Sequence, residues 1–343
     1  MKKLLAILCL VTLLAGCANA PAEPIQTTEP VQTTQPTQAA IDYRCPWELD
    51  VCAKAAENGT MDYYFMSSEG SITKDGAPAK WGDCCLIVFP DGQTMLIDSG
   101  VASFGPILVE NLKRMGIKRL DHIVITHPHS DHQNGVFHAV NLTGGVLDTF
   151  EVGDVYHRGD LSNENAAHLD KVCRERGISV QVLERGMTLQ MGQVSARVLW
   201  PKVGTWEKEI TGTGNFNNQS IVIRFDYGEH SSLFTGDLYD DGEMALMSAG
   251  ETELLDVDLL KAPHHGGYTS ASELFLQVVS AELAVATGFV GIRDDVAKRY
   301  SATDTPLVND LNYGYIHVTT DGTTMTYETS RQEPLPIGSA PID

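Results

Sequence analysis

The sequence predicts an α/β protein, an αββα sandwich in which two mixed β-sheets are flanked by helices. Three observations lead there. Short β-branched runs alternate with amphipathic helical stretches. Several of the runs are joined by turn signals that read as hairpins. About 290 residues lie between an unpatterned start and an unpatterned tail, a length that suits one two-sheet sandwich with helices outside.

In order along the chain, Cys84 to Phe89 and Thr94 to Ile97 read as a hairpin around Pro90-Asp91-Gly92. Phe104 to Met115 is an amphipathic helix stopped by Gly116, and the strand Leu120 to Ile125 follows. Ala166 to Arg176 is a helix closed by Gly177, with Ile178 to Val182 as the next strand. Leu189 to Leu199 holds two short strands around Met191-Gly192. Ser220 to Phe225 and Ser232 to Thr235 pair across Asp226-Tyr227-Gly228. Val257 to Leu260 is a strand and Ser272 to Val279 a helix. Tyr315 to Thr319 and Thr324 to Tyr327 form the last hairpin, turning at Asp321-Gly322.

The ends differ from this middle. Lys2 and Lys3, the apolar run Leu4 to Leu14, and Leu14-Ala15-Gly16-Cys17 read as a lipoprotein signal peptide over residues 1–17. The apolar run is too short to span a bilayer as a helix. On this reading Cys17 is the lipidated first residue of the mature protein, exported and anchored to the outer face of a bacterial cytoplasmic membrane; a diacylated cysteine supplies the chains that stable anchoring needs. Residues 18–41 are rich in Pro, Thr, Gln and Ala and read as a disordered tether, residues 42–331 as the folded domain, and residues 332–343 as a flexible tail.

The formal charge is −21, and no cluster of Lys or Arg offsets it. Phosphate binding by counterion release needs such clusters, so the composition weighs against nucleic acid as a partner. No Cys-x-x-Cys spacing occurs, which argues against a cysteine zinc site. Cys45 and Cys52 are candidates to pair outside the cell; Cys84, Cys85 and Cys173 read as buried or free thiols.

The most informative stretch is Thr126-His127-Pro128-His129-Ser130-Asp131-His132-Gln133-Asn134-Gly135, at the end of an apolar strand. Two histidines two apart on extended chain point the same way. The chain then bends and presents Asp131 beside His132. Two half-sites result, His127 with His129 and Asp131 with His132. Such nitrogen and oxygen ligands suit zinc, and also manganese or iron. Three of the 11 histidines stand here, which a random polar loop does not explain.

These residues resemble the HxHxDH signature of the metallo-β-lactamase superfamily. Thr94-Met95-Leu96-Ile97-Asp98-Ser99-Gly100 resembles its strand ending in Asp-x-Gly, and Leu233-Phe234-Thr235-Gly236-Asp237 the strand ending in a bridging aspartate. Leu260-Lys261-Ala262-Pro263-His264-His265-Gly266-Gly267 resembles the strand that delivers the last histidine. Trp81-Gly82-Asp83-Cys84, Gly116-Ile117-Lys118-Arg119-Leu120-Asp121-His122, Asn217-Asn218-Gln219-Ser220 and Pro263-His264-His265-Gly266 resemble the hydrolase domain attached to bacterial DNA-uptake channels. They are also similar to the choline-phosphate esterases of cell-wall teichoic acid.

The resemblance implies the metallo-β-lactamase αββα sandwich with two Zn2+ ions, Mn2+ or Fe being the alternatives. One ion would take His127, His129 and the bridging Asp237. The other would take Asp131, His132, Asp237 and one of His264 and His265. It assigns the catalytic work to Asp131, Asp237, His264 and His265, through a metal-bound hydroxide. Asp98 is expected behind the ligands, orienting a histidine. Asp83 reads as a turn residue, His122 and His138 as core residues, and His157 as a residue near the substrate mouth. His168, His230 and His317 read as surface or packing residues. In place of the further histidine of the lactamases stands Gly214-Asn215-Phe216-Asn217-Asn218-Gln219-Ser220. Thr287-Gly288-Phe289 replaces the Gly-His-Pro of the uptake-channel branch.

The function that follows is a surface-anchored, metal-dependent hydrolase of small-molecule or cell-wall phosphodiesters. The alternatives are an extracellular nuclease of the same fold and a non-catalytic metal or wall-ligand binding lipoprotein.

Overall fold

The computed structural model describes residues 45–73, 75–137, 145–202, 216–288 and 291–331. The signal peptide, Cys17, the tether, the tail and His138 lie outside the described residues. In chain order the elements are α1 (Val51–Asn58), β1 (Met61–Phe65), β2 (Cys85–Val88), β3 (Thr94–Ile97), α2 (Gly105–Arg114), β4 (Arg119–Val124), α3 (Ser130–Gln133), α4 (Val146–Thr149), β5 (Glu151–His157), α5 (Glu164–Glu175), β6 (Ser179–Val182), β7 (Thr188–Met191), β8 (Val194–Trp200), β9 (Val222–Tyr227), β10 (His230–Phe234), α6 (Asp240–Ser248), β11 (Leu259–Lys261), α7 (Glu273–Val279), β12 (Leu283–Ala286), α8 (Asp294–Ala302), β13 (Leu307–Asn309), α9 (Asp310–Tyr313), β14 (Ile316–Thr320) and β15 (Met325–Thr329).

Period-two alternation builds the layers. On β2, Cys85 and Ile87 face the second sheet, while Leu86 and Val88 face helices. The central core between the sheets joins Met61, Phe65, Ile87 and Met95 to Val198, Ile223, Phe234 and Val285. One outer core packs α2 and α5 on the first sheet through Leu108, Leu112 and Leu169. The other packs α6, α7 and α8 on the second through Leu246, Phe275 and Val296. Each fully buried large apolar side chain contributes about 1.5–3 kcal/mol, so three contiguous cores hold four layers together. This is the αββα arrangement expected from the sequence.

The first sheet runs β15-β14-β1-β2-β3-β4-β5-β6 and the second β13-β12-β11-β10-β9-β8-β7. Both are mixed. Strands β3 to β6 are parallel, as are β10 to β13, and the remaining pairs are antiparallel. The carboxyl ends of parallel strands are where α/β folds place ligands.

Several elements had no expected counterpart. Strand β1 is buried along its whole length, so no alternation marks it. Strand β13 has three residues. Helix α6 carries Gly242 in its interior, a weak helix former. The β9–β10 hairpin turns two residues later than expected, because Tyr227 and His230 still pair.

The candidate pairing of Cys45 with Cys52 is corrected: all five described cysteines are free thiols. Cys45 is buried against Asn111, which accepts from its backbone N–H, and its Sγ faces the carbonyls of Trp47 and Asn111. Cys52 sits on α1. Among the described residues no helix is long and apolar enough to cross a membrane.

Candidate metal centre

The side chains expected to hold or orient metal converge at the carboxyl ends of β3, β4, β10 and β11. Asp98 follows β3, His127 and His129 follow β4, Asp237 follows β10, and His264 and His265 follow β11. The turns that carry them are strained. Asp98, His264 and His265 have φ of 56°, 46° and 56°, and Trp81 beside them 72°. Left-handed backbone is costly for such residues and persists where the surroundings over-determine it. Two glycines allow the close approach. A Cβ on Gly135 would lie 1.7 Å from the Ser99 carbonyl oxygen. A Cβ on Gly288, where φ is +113°, would lie 2.7 Å from His265 Nδ1.

Two imidazole nitrogens each face the same two carboxylate oxygens. His132 Nε2 lies 3.1 Å from Asp237 Oδ2 and 3.7 Å from Asp131 Oδ2. His265 Nε2 lies 3.4 Å from each of the same two oxygens. A tetrahedron with bonds of about 2.0–2.1 Å has edges near 3.3 Å, so these separations fit a zinc-sized ion. His132 Nε2, His265 Nε2 and Asp237 Oδ1 are buried without a hydrogen-bond partner, which a cation would supply. The second group lies alongside: His127 Nε2 is 2.9 Å from His129 Nδ1 and 3.7 Å from Asp237 Oδ2. His127, His129 and Asp237 can share one ion. Asp237 thus faces both groups.

The far sides of His132 and His265 each meet another carboxylate. His132 Nδ1 is 2.8 Å from Asp98 Oδ2, and Asp98 also accepts from the Thr126 N–H and hydroxyl. His265 Nδ1 is 3.0 Å from Asp83 Oδ1. Asp83, read from the sequence as a turn residue, is therefore corrected: it is buried behind the site. Although its carboxylate can be grouped with His132, Asp237 and His265, it meets the Nδ1 faces and not the Nε2 faces. That geometry makes it an orienting group rather than a ligand.

Electrostatics favour positive charge at the same point. Burial opposes it, but Asp237, Asp98 and Asp131 hold His132 well above the ordinary imidazole range. Asp237 and Asp83 do the same for His265. Burial would raise Asp237, yet His132 and His265 keep it well below the usual carboxylate range. His127, with fewer carboxylates nearby, is pushed far down by burial and then by the charge of His132.

The two adjacent histidines separate in role. His265 is buried among carboxylates, whereas His264 is half-buried and its Nε2 is 3.9 Å from Asp237 Oδ2. His264 Nδ1 is 2.6 Å from Thr269 Oγ1, and its ring stacks on Trp81 and leans on Tyr239. The backbone is not extended here; successive left-handed residues turn His265 inward and leave His264 at the rim.

The remaining histidines stand apart. His157 Nδ1 accepts from the Gly159 N–H, and its Nε2 lies 3.5 Å from Asp170. His122 approaches Tyr156, His168 packs on Phe137, His230 faces Asp258, and His317 lies between Asp62 and Glu328. Sequence reasoning missed Asp83, Lys261, Thr269 and Tyr239. One signal was available, a lysine inside the otherwise apolar run Leu259-Leu260-Lys261-Ala262.

The model of the metallo-β-lactamase superfamily matches residues 82–286. The chain belongs to the metallo-β-lactamase superfamily. Its coarse class is accordingly a metal-dependent hydrolase. The chain is 26% identical over 241 residues to the ComE operon protein 3 of Bacillus subtilis, a match covering 65% of this chain and 29% of that protein. It is 32% identical over 203 residues to the competence protein ComA of Neisseria gonorrhoeae, covering 59% of this chain and 25% of that protein. The matched region is thus under a third of the length of either relative. Among solved structures it is similar to the metallo-β-lactamase fold protein YhfI of Bacillus subtilis, with 16% identity, a TM-score of 0.45, and coverage of 73% of this chain and 95% of that one.

Within this superfamily member, the stretch that stands where lactamases carry a further histidine supplies amides. Asn218 Oδ1 accepts from the N–H groups of Tyr239 and Gly242, and Asn217 is buried with its Oδ1 unpartnered. Gly214 and Asn215 lie outside the described residues.

Proposed function

We propose that this protein hydrolyses phosphodiester-type substrates with two divalent metal ions. The observation that carries the reading is Asp237, buried between two imidazole groups and within 3.7 Å of His127, His132 and His265. His127, His129 and Asp237 would hold one ion, and Asp131, His132, His265 and Asp237 the other. Such ions supply Lewis acidity toward a phosphoryl oxygen and bring the pKa of water toward neutrality, to about 7.

The chain's own groups then have separable roles. Asp98 and Asp83 keep Nδ1 of His132 and His265 engaged, so that both Nε2 atoms face inward. Thr269 fixes the His264 ring, which presents Nε2 toward the open side next to Asp237. His264 is placed to contact a substrate oxygen; burial pushes the pKa of its imidazole down to about 4, so near neutrality it acts as a neutral contact. Trp81 and Tyr239 flank it and restrict how a substrate can enter.

A nuclease of the same fold is the second reading, favoured by the similarity to competence proteins. The formal charge of −21 weighs against it. The test is a panel of nitrophenyl phosphodiesters, nitrophenyl phosphorylcholine, single-stranded DNA, a lactam and a thioester, with and without added Zn2+ or Mn2+. We expect metal-dependent release from the small phosphodiesters. Turnover of the lactam or thioester with none of any phosphodiester would defeat the reading.

We also infer a lipid anchor at Cys17, on the strength of Leu14-Ala15-Gly16-Cys17 after a charged start and an apolar run. Intact mass of membrane-fraction protein should show a mature chain beginning at a lipidated Cys17. Any other mature start refutes it.

A further inference from the structure

Strand β11 reads Leu-Leu-Lys and is buried throughout, Lys261 included at 3% exposure. A buried ammonium is retained only where it is paired. Lys261 Nζ lies 2.7 Å from Asp83 Oδ2 and donates to the Ala262 carbonyl at 2.8 Å. The other oxygen of Asp83 accepts from the Thr287 hydroxyl and meets His265 Nδ1. The Asp83 N–H donates to the carbonyl of Asp131, itself in the same ligand group. The cavity that Lys261 lines, between the sheets and behind the site, measures about 10 Å3. That is room for one water at most, so the lysine does not wait there for a substrate. The equivalent carboxylate behind His132 is held differently: Asp98 is secured by the neutral donors of Thr126.

We propose that Lys261 is a positioning residue for the metal site of His132 and His265: a buried, ion-paired lysine that clamps Asp83 against His265, so that His265 Nε2 faces Asp131 and Asp237. The inference rests on the reading of that group as a metal site. Without the ammonium, the Oδ2 of Asp83 is a buried carboxylate oxygen with no countercharge, and only the Thr287 hydroxyl and His265 itself still hold the group, so the anchor on the far face of His265 is loosened. With Asp83 also made neutral, the lysine is no longer needed. An asparagine oxygen still accepts from Nδ1–H, and no charge is left unpaired.

The test is titration of the metal-free full chain with Zn2+ alone, against a chromophoric chelator, for wild type, Lys261→Met, Asp83→Asn and the double variant. No substrate enters, so the outcome is independent of the reaction catalysed. Groups that orient metal ligands typically alter affinity by about 10–100-fold. We expect Lys261→Met to weaken one of the two ions by that factor and leave the other unchanged. The double variant should bind the weakened ion more tightly than either single variant does. If Lys261→Met fails to fold, a double variant that folds and binds two ions supports the clamp. Unchanged affinity in Lys261→Met, a double variant as weak as the singles, or a double variant that also fails to fold overturns it. Wild type that binds fewer than two ions defeats the two-metal reading itself, a result distinguishable from all of these.

Discussion

Asp237→Ala is expected to lower turnover at least about 10²-fold, the scale of losing a principal stabiliser of the transition state. The variant should also lose metal. The carboxylate is buried, with Oδ2 facing His127 at 3.7 Å, His132 at 3.1 Å and His265 at 3.4 Å. Its backbone N–H is tied to Ser220 Oγ, so the side chain is delivered at a fixed angle from the end of β10. Alanine removes the one oxygen shared by both groups and a negative charge that offsets two cations. Metal content measured beside the rate on a chromogenic phosphodiester checks this. Full metal content together with the wild-type rate would show that Asp237 does not bridge.

His265→Ala and His264→Ala should behave differently despite being neighbours. His265 Nε2 lies 3.4 Å from both Asp131 and Asp237. Losing it opens one corner of a four-atom group, and we expect one equivalent of metal and at least about 10² in rate to go with it. His264 Nδ1 is already engaged by the Thr269 hydroxyl, and its Nε2 stays 3.9 Å from Asp237. His264→Ala should therefore keep both ions and lose only rate. The comparison is metal stoichiometry in the two folded variants. Equal metal loss in both would mean that the two histidines share the ligand role.

Much of this was legible in the chain. His127 and His129 meet because two residues apart on extended backbone is a local property, and Asp131 and His132 follow on the next bend. The four layers follow from strand and helix periods that persist over most of the length. Elements without a local period were not legible: β1, buried on both faces, and α6, interrupted by Gly242.

Other assignments belong to the tertiary structure alone. Which of His264 and His265 turns inward depends on two successive left-handed residues, a conformation that neighbouring residues in the sequence do not announce. Asp83 looks like a turn residue until β12 and β11 bring Thr287 and Lys261 against it, from positions roughly 180–200 residues further along. Local sequence determined which groups can bind metal, because ligand type and spacing are properties of neighbouring residues. The fold decided which face of each imidazole is free to bind, because that depends on carboxylates contributed by distant strands.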